Sequence, residues 1–396
     1  MISNNFLFSR QAVVDSKLSV KANNLFHLNN MEQEKKDSFL SLLFTDLSIV
    51  DVIKHQPIFI TVSIHEVEHL PTPPSALRFV LFFDAAELVP ERDSDRLSGL
   101  RLDGYQLGLT NFSLKFFGTP FFDYFSFVEL SLNKYDVSHV LHVDRHQALA
   151  HKEIWISHIK TQEQHREIDT HTHASWFSGD FLSQSVPVRG SNVPGYRLIL
   201  IDLLTRLQDG RSSIRDISAA IEKDVTLSYR VLKLTKSVMY HRQFNVHNVQ
   251  RAIEIIGIKD LIKWVTLAMF SSIDGKPDCL FSMAVNRACL CDGIAKAIYP
   301  KLEGAFLVGL FSYLPSFFDS PMEEILKDLP LDESLVVALS HHQGHLGSIL
   351  AVAKNYESGC WEKIPFEQLA QKSLSSNQLR QVYIDSLKAA KEIYQI

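Results

Sequence analysis

The sequence predicts two domains of different class, an α/β domain followed by an all-α domain. Three observations predict it. Short continuous apolar runs, separated by helix-length gaps, fill the first half, the pattern of buried parallel strands with helices outside. Apolar residues at helical spacing fill the second half almost without a break. Between them lies Ser185-Val186-Pro187-Val188-Arg189-Gly190-Ser191-Asn192-Val193-Pro194, rich in turn formers. The expected boundaries are 1–187 for the first domain, 188–192 for a linker and 193–396 for the second. With 396 residues, 46% of them hydrophobic, the chain can bury two cores.

In order, Ala12-Val13-Val14 and Leu18-Ser19-Val20 flank Asp15-Ser16-Lys17, a hairpin signal. Met31 to Ile49 carries Phe39, Leu42, Leu43 and Leu47 at roughly helical spacing. Ile58 to Ile64, Arg78 to Phe83, Gln106 to Leu109, Phe125 to Leu130 and Glu153 to Ile156 read as strands. Together they predict a (β/α) barrel or a reduced version of one. After the linker, Tyr196 to Leu207 reads as a helix stopped by Asp209-Gly210. Ser213 is placed as an N-cap with Asp216 three residues on. Leu227 to Tyr240 follows, then Val249 to Ile256 ending at Gly257. Leu261 to Phe270 is apolar nearly all round and belongs in a core. Asn286–Ile298, Ala305–Phe318, Met322–Leu326, Ser334–His341, Gly347–Tyr356 and Gln378–Tyr394 complete the helices.

Composition excludes several classes. Forty basic against 45 acidic residues give a net charge of -5, which argues against sequence-independent nucleic-acid binding. Four cysteines without a Cys-x-x-Cys pair support neither a disulfide scaffold nor a zinc ribbon, and fit a reducing cytoplasm. The opening residues lack a basic region followed by an apolar run, so no signal peptide is expected. No stretch reaches the length of an uncharged membrane span; Lys263 interrupts the longest candidate, Leu261 to Ile273.

Specific residues then carry a resemblance. Phe8-Ser9-Arg10-Gln11-Ala12-Val13-Val14-Asp15 and Val20-Lys21-Ala22-Asn23-Asn24-Leu25-Phe26 resemble the opening of an EAL domain fused to an HDOD domain. Gly104 to Phe112 and Trp176 to Ser183 resemble later EAL landmarks. Ala252-Ile253-Glu254-Ile255-Ile256-Gly257, Gly304 to Ser312 and Tyr356 to Trp361 resemble HDOD landmarks. The resemblance covers nearly the whole chain and implies a degenerate, shortened EAL-like barrel followed by an all-helical HDOD domain.

Active EAL domains hydrolyse cyclic di-GMP with two divalent metals, which need oxygen ligands rich in carboxylate. The resemblance puts the motif Glu at Asn24, the strand Asn at Thr61 and the next ligand Glu at Phe82. It puts the paired aspartates at Thr110 and Asn111 and the catalytic Lys at Glu129. The later Glu positions fall near Ser157 and Lys160, and the final Gln at Ser178. The His-Asp pair of the related HD phosphohydrolases falls on Ser312 and Tyr313, and no histidine lies between His247 and His341. Both catalytic residue sets are therefore expected to be lost, with no cofactor and no resident metal.

Other clusters carry weaker signals. His139, His142 and His146 share a helix face and are candidate zinc ligands, against the plainer reading of a polar surface. His341 and His345 read as core or helix-end residues, and Cys289 and Cys291 as buried small hydrophobes. Asp202, Asp209 and Asp216 read as structural. Tyr229 to Ser237 reads as a solvated or partner-binding basic face. The expected function is a non-enzymatic, cytoplasmic bacterial signalling scaffold, linked by resemblance to cyclic di-GMP control of motility or biofilm. Its expected partners are other signalling proteins, with homodimerisation open, and neither nucleic acid nor membrane. The alternative is a non-catalytic cyclic di-GMP receptor.

Overall fold

The computed structural model describes residues 6–29, 56–67, 78–111, 118–183, 213–222, 225–235, 248–271 and 276–394, with 70, 72, 73 and 116. The predicted helices at Met31 to Ile49 and Tyr196 to Leu207, and the linker itself, lie outside the described residues. The chain divides into two units. The first comprises Met1–Gln184 with Lys354–Ile384, and the second Ser185–Ala353 with Asp385–Ile396. The expected assignment of all of 193–396 to one helical domain differs from this division. Helical periodicity reports that 354–384 folds as helix, but not which core the segment packs against.

The first unit is a closed eight-stranded barrel in the order β1 to β8. Strands β1 (Phe6–Val14) and β2 (Val20–Asn29) form the predicted hairpin, antiparallel from Phe6 opposite Asn29 to Val14 opposite Val20. Asp15 closes its turn by accepting backbone N–H bonds from Lys17 and Ser19. From β2 onward every neighbour is parallel, through β3 (Ile58–Thr61), β4 (Phe79–Asp84), β5 (Gln106–Thr110), β6 (Phe127–Ser131), β7 (Glu153–Ser157) and β8 (Trp176–Phe177). An antiparallel pairing of Val14 with Phe177 closes the ring. All eight strands are present, so of the two expected forms, a (β/α) barrel or a reduced one, the strand count is that of the full barrel. The economy lies in the connections. A 3-10 helix, Pro120–Tyr124, lies between β5 and β6, and an eight-residue helix, Val137–Asp144, between β6 and β7.

Strand side chains alternate faces, so one parity of each strand fills the barrel. Val13, Ala22, Phe59, Val80, Phe82, Phe127 and Trp155 form a buried cluster, with Trp176 against it. Its rings lie 5.1 to 5.4 Å apart for Phe82–Trp155, Phe59–Phe82, Phe59–Trp155 and Phe59–Phe127, mostly edge to face as their quadrupoles favour. Gly108 makes room for Phe82, because a Cβ there would sit 2.5 Å from that ring. Lys354–Ile384 packs on the same unit. The Tyr383 ring meets Phe8 at 5.7 Å, and its hydroxyl accepts the Arg10 backbone N–H at 3.0 Å.

The second unit is helical. Ser213 and Asp216 form the expected reciprocal cap of Ile214–Ile221, and Gly257, at φ 81°, ends Val249–Ile256. Ile258–Phe270 buries Leu261, Trp264, Val265, Leu267 and Phe270. Asp278–Ile298 begins earlier than its periodicity predicts and buries Cys279, Cys289 and Cys291. Burial pushes the Cys289 thiol up to about 12. The single helix expected over Ala305–Phe318 is two, Ala305–Phe311 and Leu314–Phe318. Pro315 has no N–H to donate and clashes with the carbonyl four residues back, which breaks a helix at this point. Among the described residues no helix is long and apolar enough to cross a membrane.

Candidate functional site

The aromatic layer sets the floor of a cavity at the C-terminal ends of the parallel strands, where (β/α) barrels carry their sites. Two residues further along each strand, the same parity delivers polar groups above the rings. Thr61 follows Phe59, Asp84 follows Phe82, Thr110 follows Gly108, Glu129 follows Phe127 and Ser157 follows Trp155. The cavity measures about 610 Å³, and its lining includes Asn24, Thr61, Thr110, Asn111, Glu129 and Trp155. Five positions placed by resemblance thus converge on one space.

The polar groups are tied together. The Ser157 hydroxyl donates to Glu129 Oε1 at 2.5 Å and lies 2.9 Å from His158 Nδ1. Ser131 Oγ lies 3.0 Å from the same nitrogen. Asn111 donates from Nδ2 to Asp84 Oδ2 at 2.7 Å. Asn111 and His158 each follow a strand end in the left-handed region, at φ 51° and 59°, a conformation in which Asn and His are enriched.

Residues from the C-terminal part of the same unit complete the lining: Gly359, Trp361 and Glu362. A Cβ at Gly359 would lie 3.3 Å from Phe26, and its φ is +69°. Tyr356 packs beside Tyr383, with ring centroids 4.8 Å apart and planes tilted by 44°, and is fully buried.

The remaining sequence-predicted positions fall elsewhere. Phe82 is core. Ser178 is buried and accepts the Trp155 indole N–H at 3.0 Å. Lys160 donates its backbone N–H to Gln164 Oε1 at 2.9 Å, next to the Thr161 capping box of Gln162–His171. In the second unit, Ser312 accepts from Arg287 at 3.1 Å and donates to the Gly309 carbonyl, while the same guanidinium lies 4.2 Å from the centre of the Tyr313 ring. That pair is part of packing around Arg287.

The structure does not bring His139, His142 and His146 together around one point. His139 stacks on Tyr135 at 4.6 Å, and His146 Nδ1 accepts the Ala148 N–H beyond the helix end. Among the described residues no group of three or more His, Cys, Asp or Glu is placed to hold a metal ion. His341 ends Glu333–His341, and His345 packs 4.3 Å from Tyr299.

Sequence reasoning missed Asp84, His158, Trp361 and Glu362. Asp84 had a signal, since it stands two residues from Phe82 on one strand and so shares its face. The two residues from 361–362 had none, because nothing local records that they return to the barrel.

The chain is thus a closed barrel with a polar cavity at its strand ends, completed by residues of Lys354–Ile384, and a helical unit. The helical part is identified by residues 194–318, which match the HDOD domain family. The protein YuxH of Bacillus subtilis is 27% identical over 191 residues, 47% of this chain and 47% of that one. The cyclic di-GMP phosphodiesterase CdgJ of Vibrio cholerae is 25% identical over 197 residues, 49% of this chain and 46% of that one. The chain therefore spans about half the length of the curated relatives it matches. Among solved structures, the Bacillus subtilis YkuI protein, which has an EAL domain and was solved with cyclic di-GMP and calcium, aligns at 10% identity. That alignment covers 64% of this chain and 73% of YkuI with a TM-score of 0.36.

Proposed function

We propose that this chain is a non-catalytic signalling scaffold, acting through protein–protein contacts in cyclic di-GMP-linked regulation in the bacterial cytoplasm. The observation that carries the reading is the donor set of the barrel cavity. Two hard divalent cations need several carboxylate oxygens. The described lining offers the amides of Asn24 and Asn111, the hydroxyls of Thr61, Thr110 and Ser131, the His158 ring, and two carboxylates from separate parts of the unit, Glu129 and Glu362. Asp84 is already engaged by Asn111, and Phe82 contributes a ring to the core. This set does not fit a two-metal centre, and no step is routed through one. Glu129 also sets a negative charge where a phosphodiester would need a positive one. In this reading the chain needs no cofactor. The first part is the barrel and the second the HDOD unit, and both offer surface to other signalling proteins or to a second copy.

Incubation with cyclic di-GMP and Mg²⁺ or Mn²⁺ tests the reading. No linear dinucleotide is expected above the blank, and capture from a bacterial extract is expected to retain a discrete protein partner. Metal-dependent release of the linear product would overturn the proposal. Saturable calorimetric binding of cyclic di-GMP without turnover would replace the scaffold by a receptor, for which the 610 Å³ cavity is the place to look.

A further inference from the structure

The cavity's electrostatics point to a ligand of opposite sign from a nucleotide phosphate. Glu129 is 93% buried, being 7% exposed, and its carboxylate has one hydrogen bond among the described residues, from Ser157 to Oε1. Oε2 has no partner there and is open to the cavity rather than sealed from it, so a ligand can reach it. The described lining holds no lysine or arginine, and it holds a second carboxylate, Glu362. The lining also includes Trp155 of the floor, Trp361 and Phe26, and aromatic rings attract cations through their quadrupole.

We infer that the barrel cavity is a binding site for a small organic cation, an ammonium or guanidinium compound that pairs with Glu129 above the aromatic floor. This rests on the non-catalytic reading of the same cavity. An anionic ligand would meet two carboxylates and, among the described lining residues, no lysine or arginine. A cation finds the missing partner of Glu129, with the Thr61, Thr110 and Asn24 side chains available for its remaining hydrogen bonds. The volume suits a molecule of metabolite size.

The test is calorimetric titration of the full chain with agmatine, which carries both a guanidinium and an ammonium group. Saturable one-site binding is expected, accompanied by a change in tryptophan fluorescence. It should weaken at least about tenfold in Glu129→Gln, each tenfold being about 1.4 kcal/mol. Thr61→Lys, at an exposed lining position, places a tethered ammonium in the cavity and should abolish binding even if Glu129→Gln fails to fold. Absence of saturable binding, or binding unchanged in whichever of the two variants folds, would overturn the inference. So would tighter binding of neutral guanosine than of agmatine, because it would make the cavity a nucleobase site. Cyclic di-GMP turnover measured on the same samples separates the two claims. Turnover sinks the non-catalytic reading, whereas silence toward both compounds sinks only the cation site.

Discussion

At the scale of single residues, two positions show how tightly the barrel is specified. Gly179 follows β8 at φ +148°, and a Cβ there would lie 2.2 Å from the Ile159 carbonyl oxygen. Backbone cannot retreat as a flexible side chain can, so Gly179→Ala should cost about 3 kcal/mol, read as a lower urea midpoint at unchanged slope. His165 is buried, with its ring stacked 4.4 Å from Phe181 and edge-on to Phe177, and Nε2 has no hydrogen-bond partner among the described residues. Burial lowers its pKa from the ordinary 6.5, against the pull of Asp169 and with a small push from Arg166. The unfolded chain therefore takes up this proton first as pH falls. The stability associated with the neutral ring is complete above about 6.5 and is lost as pH drops through the depressed folded value. His165→Phe should flatten this part of the stability profile, measured as the difference between the two proteins from pH 7 downward. A difference that does not change with pH would refute it.

At the scale of elements, Phe59 is the ring that touches most of the barrel interior, meeting Phe82, Phe127, Trp155 and Trp176 within 5.2 to 5.4 Å. Phe59→Ala should destabilise the barrel by about 3 to 5 kcal/mol through lost burial and the void left behind, seen in chemical denaturation followed by tryptophan fluorescence. This layer was legible in the sequence, because Ile58-Phe59-Ile60 and Arg78 to Phe83 are continuous apolar runs and such runs are buried on both faces. The caps at Ser213 and Gly257 were legible too, since their chemistry is local. The break at Ser312-Tyr313 was hidden by an apolar pattern that runs across it, although Pro315 carried the warning. The strands of the cavity floor could be read from their apolar runs, and Asn24, Thr61, Thr110, Asn111 and Glu129 were placed by the resemblance. The C-terminal part of the lining could not be placed, because Gly359, Trp361 and Glu362 reach it through tertiary packing that leaves no periodic trace.

At the scale of the whole molecule, the pairing of Arg10 with Tyr383 joins positions 373 residues apart. Tyr383→Phe leaves the Arg10 N–H without its acceptor and should cost about 1 to 3 kcal/mol. Hydrogen exchange at Arg10 should quicken while amides in Asp278–Ile298 keep their protection. Equal acceleration in both would contradict the assignment of Lys354–Ile384 to the barrel. That assignment also governs how the protein is made. The strands are translated before Ser185–Ala353 of the helical unit, and the segment packing on Phe8 and Phe26 is translated after it. The nascent barrel must wait with an uncovered apolar flank through the synthesis of some 170 residues, the interval in which long-range contacts are slow to form and chains are most prone to aggregate.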